Sequence, residues 1–168
     1  MLARVATHRH ALRVALCALA LALLAYGLLA HVATARRRAP ALPTKALRGS
    51  PVTLAALRGH PAVVVFFASW CPDCKHEAAA VERFARSTTG RGRVVAIDYD
   101  DGGDWRGFLH RYGWSFPVLS DSSGRTGAAF GIPFLPTVVF LDGQGRIVST
   151  SSVTQTVASL ERGVAAAA

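Results

Sequence analysis

The segment Cys71-Pro72-Asp73-Cys74 constrains this chain more than any other, because of what flanks it. On its amino side runs Ala62–Phe67, AVVVFF, apolar at every position, as expected of a central strand covered on both faces. On its carboxyl side Ala78, Val81, Phe84 and Ala85 recur at helical spacing, while Lys75, Glu82, Arg83 and Arg86 lie mostly elsewhere, which predicts a helix through about Arg86. Two thiols at such a strand-to-helix turn suit one kind of chemistry. Only a thiolate attacks a disulfide, and a free cysteine with a pKa near ~8.5 supplies little of it. Backbone N–H groups left unpaired in the first helical turn stabilise an anion on Cys71. Once a mixed disulfide has formed, Cys74 must reach the same sulfur to release it, and a two-residue spacer allows that. Pro72 fits the first helical position, which needs no N–H donor.

Other uses of the pair fare worse. A zinc site takes about four ligands, and the sequence has no second CxxC or spaced histidine pair. His8, His10, His31, His60 and His110 show no ligand spacing, so no metal and no cofactor is expected. A disulfide between residues this close constrains almost no loop and makes a poor staple. No peroxidatic TxxC sequence surrounds Cys71. The third cysteine, Cys17, lies in the apolar N-terminal stretch and reads as a small lipid-facing or helix-packing residue.

Charge could point to nucleic acid, since the net value is +9 with a pI of about 10.7. The distribution argues against it. Residues 1–38 contain Arg4, Arg9, Arg13, Arg36, Arg37 and Arg38 but no acid, leaving the remainder at only +3. These arginines bracket VALCALALALLAYGLLA (14–30), an apolar run that extends to about residue 35. At ~1.5 Å per residue, about 20 residues cross a bilayer, so 14–35 is expected to be a transmembrane anchor after a basic N-terminus, 1–13. The rival is a cleaved signal peptide, with Ala33-Thr34-Ala35 as the small-x-small site. Against cleavage, the apolar run exceeds the usual ~7–15 residues. Three arginines on each side leave the positive-inside rule tied.

Residues 36–50, Pro-rich, read as a tether leading to a domain over 51–168. Val52-Thr53-Leu54 is expected to be a short strand, followed by AVVVFF and the helix. A strand over Arg93–Asp98 then precedes an acidic Gly-rich loop and a helix over Trp105–Tyr112. Phe116–Leu119 is expected to be extended, and Asp121–Phe130 a helix weakened by Gly124 and Gly127. Pro136–Asp142 and Arg146–Thr150 form a hairpin across Gly143-Gln144-Gly145, before a last helix over Gln155–Gly163. This order gives an α/β sandwich with a mixed sheet.

The stretch Phe66-Phe67-Ala68-Ser69-Trp70-Cys71-Pro72-Asp73-Cys74-Lys75-His76-Glu77 resembles the active-site signature of the thioredoxin superfamily, and within it the membrane-anchored TlpA/ResA-like branch. The resemblance covers about residues 40–150. It implies a thioredoxin-like three-layer sandwich with a central mixed sheet, preceded by one N-terminal transmembrane helix, and a protein disulfide reductase or oxidoreductase. Its partners would be protein disulfide substrates and a membrane or extracytoplasmic thiol donor, with cytochrome c maturation as the leading substrate class. Cys71 and Cys74 would be catalytic, supported by Trp70 and Pro72. Leu135-Pro136-Thr137 resembles the family's cis-proline turn, which packs beside the attacking sulfur and offers backbone groups to a partner. Glu77 matches the branch's CxxCxxE; the alternative is a charge facing solvent. Between Asp98 and Pro117 the chain resembles the branch's inserted helix, and spacing brings an acid, Asp100, towards the thiols for proton exchange with Cys74. The alternative there is a solvated loop, with Asp101 and Asp104 close by.

Departures from the pattern also carry information. Val65 stands where many soluble thioredoxins have a buried acid, and Ala79 replaces a helix-kinking proline, so a straighter helix is expected. An anionic Asp73 opposes charge on the neighbouring sulfur, which leans the couple towards a reductant. A disulfide-forming oxidase and a tethered redox-sensing or partner-binding module that does not turn over remain as alternatives.

Overall fold

The computed structural model describes residues 16–24, 26, 36–99 and 102–168. They fall into two units, 1–36 and 37–168. In the first, α1 is described over residues 16–24. The anchor expected over 14–35 lies largely outside the described residues, among which no helix is long and apolar enough to cross a membrane.

The second unit is built on a six-stranded sheet in the order β1-β4-β3-β2-β5-β6. The strands are β1 (Ala46–Arg48), β2 (Ala62–Phe67), β3 (Val94–Asp98), β4 (Val118–Ser120), β5 (Thr137–Leu141) and β6 (Ile147–Ser151). β2, β3 and β4 run parallel, and β1, β5 and β6 pair antiparallel with their neighbours. Every residue of β2 and β3 is buried, which accounts for the unbroken apolar run of β2 and for the apolar Val94–Ile97 of β3, with Asp98 buried at its carboxyl end. Side chains alternate across β2. Val63, Val65 and Phe67 join one core layer with Ala78, Val81 and Phe84 of α2 (Pro72–Arg86) and Leu160 of α5 (Val157–Ala166). Phe108 and Leu109 of α3 (Trp105–Tyr112) pack into the same layer. Val64 and Phe66 face the other way, against Phe130 of α4 (Arg125–Phe130) and Leu42. A sheet covered on both faces is the three-layer sandwich expected from the sequence.

Four local expectations change. The stretch 36–50 is no free tether: Arg38 bridges Arg146, Leu42 is buried, and Ala46–Arg48 extends the sheet as β1 beside β4. The compact unit accordingly begins at Arg37, not at residue 51. Long-range pairing overrides the local prolines, which leave β1 itself clear. Val52-Thr53-Leu54 is not a strand; successive turns take its place, with Ala56 N–H donating to Thr53 O and Leu57 N–H to Leu54 O. Finally, α4 starts only at Arg125, because Gly124 lies in the left-handed region at φ 68° and ends the preceding turn. α5 begins at Val157, two residues later than expected, where Thr156 and Ser159 form a reciprocal cap. Without the proline, α2 runs unbroken across Ala79 to Arg86.

Candidate active site

The carboxyl ends of β2, β3 and β4 point to one pole, and the chain turns there through Ser69 and Trp70 into α2. Cys71 N–H closes that turn on Ala68 O at 3.2 Å. Cys71 is the N-cap of α2, with Pro72 in the first turn, and its sulfur accepts the Cys74 backbone N–H at 3.3 Å. That contact uses one of the helix's orphan donors to support charge on the attacking sulfur. Both cysteines are unbridged and almost wholly buried, while neighbouring Trp70 is 52% exposed. Val65 lies beneath them in the same apolar layer. Burial first, and then the hydrogen bond to Cys71, push the Cys74 thiol well above its ordinary range. Cys74 therefore holds its proton until something takes it.

Glu77 is the strongest acid candidate among the described residues. It follows Cys74 by three residues on the same helical face and is 1% exposed, which excludes the solvent-facing alternative. Its Oε2 accepts the Gln155 N–H at 2.8 Å, whereas Oε1 has no partner among the described residues. Burial raises its pKa, the Gln155 N–H draws it part-way back and the Asp73 charge raises it again, leaving it pushed up to about 7. The charge of Glu77 in turn contributes to the raised Cys74 value. A buried carboxyl poised near neutrality beside a thiol that must lose its proton is an arrangement suited to acid–base exchange.

On the facing side the Leu135–Pro136 peptide is cis, as the resemblance implies. Leu135 packs against both core layers, and Pro136 is buried at the start of β5. Thr137 Oγ1 donates to Phe134 O at 2.7 Å and lies 2.8 Å from Ser152 Oγ, tying the proline loop to the end of β6. Asp100 lies outside the described residues. The loop that follows it does reach the dithiol turn: a Cβ on Gly103 would overlap Ser69 and crowd Trp70. Asp104 is occupied as the N-cap of α3, accepting the Gly107 N–H at 2.9 Å.

Sequence reasoning missed Gln155. It is buried, donates its backbone N–H to Glu77, and its side chain joins Ser151, Val153 and Ser159. Only the Thr156-x-x-Ser159 cap just downstream marks it in the sequence. Among the described residues no three His, Cys, Asp or Glu side chains gather as a metal site.

With this geometry in hand, a family model described as the AhpC/TSA family matches residues 35–150. The chain belongs to the AhpC/TSA family. Among relatives within and around it, the soluble secreted antigen MPT53 of Mycobacterium tuberculosis is 32% identical over 99 residues, 59% of this chain. The match spans only 57% of that antigen's own length. The thiol-disulfide oxidoreductase ResA of Bacillus anthracis is 27% identical over 127 residues, covering 74% of this chain and 73% of ResA. A solved structure, a secreted Mycobacterium tuberculosis disulfide oxidoreductase homologous to E. coli DsbE, has a TM-score of 0.61. It is 30% identical and covers 73% of this chain and 92% of that one. These likenesses identify the chain as TlpA/ResA-like, with a thioredoxin-like α/β fold.

Proposed function

We propose that this protein is a thiol–disulfide oxidoreductase working outside the cytoplasm, tethered to the membrane by residues 14–35, and that it reduces protein disulfides as cytochrome c maturation reductants do. The observation that carries the reading is the Cys71 sulfur capping α2, with the more deeply buried Cys74 and the carboxyl of Glu77 next along the same helix face. The names of its relatives support the chemistry and the compartment: a thiol-disulfide oxidoreductase, a secreted antigen and a secreted disulfide oxidoreductase.

The steps follow from the geometry. The Cys71 thiolate attacks one sulfur of the substrate disulfide, whose other sulfur leaves as a thiolate and takes a proton from water. Cys74 then gives up its proton, and Glu77, ionised above about pH 7, is the group that receives it. Asp100 is the second acid proposed for that exchange. The Cys74 thiolate attacks the Cys71 sulfur and expels the second substrate thiol. Two electrons have passed to the substrate, and the protein is left with a Cys71–Cys74 disulfide. An extracytoplasmic or membrane thiol donor reduces it again. Trp70, Leu135 and Pro136 frame the attacking sulfur, and no cofactor enters any step.

Cys71→Ala should abolish turnover on a model disulfide, while Cys74→Ser should accumulate mixed disulfides with membrane-fraction proteins on non-reducing gels. Absence of adducts from Cys74→Ser would refute its resolving role. The direction of electron flow is tested by the reduction potential: a value at or below about −200 mV supports a reductant, and one towards ~−120 mV indicates disulfide formation.

A further inference from the structure

The pole opposite the dithiol has a composition of its own. There the amino end of β2 meets the end of β5, with Ala62 opposite Leu141, and β3 starts beside Val63. Three backbone contacts gather separate segments at this end. Gly59 N–H donates to Gly143 O at 2.9 Å, Val63 N–H to Arg93 O at 2.8 Å, and Ala39 N–H to Gly145 O at 3.0 Å. Arg38 pairs with Arg146 across an isolated bridge. The side chains brought together are Arg38, Arg58, His60, Arg91, Arg93 and Arg146, all exposed except half-buried Arg93. Arg58, His60, Arg91 and Arg93 line one cleft together, with no acid in its wall.

Among the described residues none of these five arginines takes part in an ion pair. The one acid nearby, Asp142, is buried and accepts the N–H groups of Gln144 and Arg146. The described acids of the other pole (Asp73, Glu77, Asp98, Asp104 and Asp121) follow the carboxyl ends of β2, β3 and β4. The dithiol pole is mixed in charge, since Lys75 and Arg111 line a cleft there with Asp104 and Ser69, whereas the cleft at the opposite pole carries arginine and histidine without an acid. The chain also enters the domain at the basic end, since Ile147 N–H donates to Arg37 O at 2.7 Å. The residues preceding that point are the apolar stretch 14–35.

We infer that this basic pole rests on anionic phospholipid headgroups, so that the dithiol faces away from the bilayer towards its protein substrates. The inference rests on the tethered reading above. Headgroup phosphates suit an unpaired arginine cluster because guanidinium binds phosphate oxygens bidentately and stays charged at any working pH. Tethering supplies proximity, so a modest attraction per arginine, about fivefold in equilibrium near an anionic surface, is enough to set orientation.

The test uses the full chain assembled into nanodiscs of phosphatidylcholine alone or with phosphatidylglycerol, read by amide hydrogen exchange. Expected is slower exchange at 57–61, 90–93 and 143–146 in the anionic discs only, lost in about 1 M salt, where the Debye length shrinks to about 3 Å. The triple variant Arg58→Glu/Arg91→Glu/Arg93→Glu should lose this protection while reducing a soluble disulfide at the unaltered rate. A chain that enters both discs and exchanges alike in them overturns the orientation and leaves the tether standing. Protection of the Cys71–Cys74 turn in place of these segments also overturns it. A chain that enters neither disc defeats the tether, and the inference with it.

Discussion

The two ends of α2 each bury a glutamate, and they treat it oppositely. Near the carboxyl end Glu82 is saturated: Arg86 Nε donates to Oε1, as does Ser115 Oγ at 2.8 Å, and Ser115 N–H reaches Oε2 at 2.9 Å. Beside it Trp114 Nε1 donates to Ala78 O at 2.9 Å, so the segment after α3 is stitched to the helix. Near the amino end Glu77 has a single backbone donor and one oxygen without a partner among the described residues. A satisfied buried carboxylate holds structure together, whereas an under-satisfied one makes its ionisation costly and so available for proton exchange. The same residue type, five positions along one helix, thus does different work because of what the rest of the chain brings to it.

The largest expected effect breaks the Glu77 side. Its folded value, pushed up to about 7, exceeds the ordinary value of 4.5. Folding stability from this group is therefore fully present below about pH 4.5 and is lost as pH rises through about 7. Glu77→Gln should remove that dependence. At pH 8 the variant should be the more stable by up to the order of 3 kcal/mol, an upper figure from the size of the shift. Urea unfolding at pH 4.5 and pH 8 measures it, and the same variant should slow release of the mixed disulfide near neutral pH. A parallel pH profile for variant and native protein would remove Glu77 from the proposed proton exchange.

Breaking the Glu82 side should instead cost stability. Glu82→Ala strands the Ser115 N–H and hydroxyl, for an expected loss of about 2 kcal/mol, with disulfide reduction per folded molecule unchanged. Smaller still is Ser115→Ala, which leaves the backbone donor and Arg86 in place and should cost about 1 kcal/mol in the same unfolding measurement. An altered potential of the Cys71–Cys74 couple in either variant would show that the two ends of α2 are not independent.

Much of the site was legible because its chemistry is local. Cys71, Pro72 and Cys74 occupy one turn between a strand marked by an unbroken apolar run and a helix marked by its apolar spacing. Pro136 is picked out by the resemblance of Leu135-Pro136-Thr137 to the family's cis-proline turn, not by its local context, which also suits an ordinary proline at a strand start. Glu77 is at a recognisable spacing, yet spacing does not reveal burial or the backbone N–H that Gln155, 78 residues away, donates to it. Gln155 itself lies in a Ser/Thr-rich stretch with no apolar periodicity to mark it as buried. The edge strand at Ala46–Arg48 escaped for a related reason, since three residues among prolines carry no alternation and only pairing with β4 makes them a strand.

By itself the sequence determined the dithiol turn, the buried strands, the 143–145 hairpin and the long helix behind Cys71, because each depends on spacing within a few residues. The tertiary structure decided which glutamate is satisfied, where the domain begins and which arginines gather in one cleft away from the dithiol. Those outcomes depend on strand order and on contacts between distant segments, which local spacing does not encode.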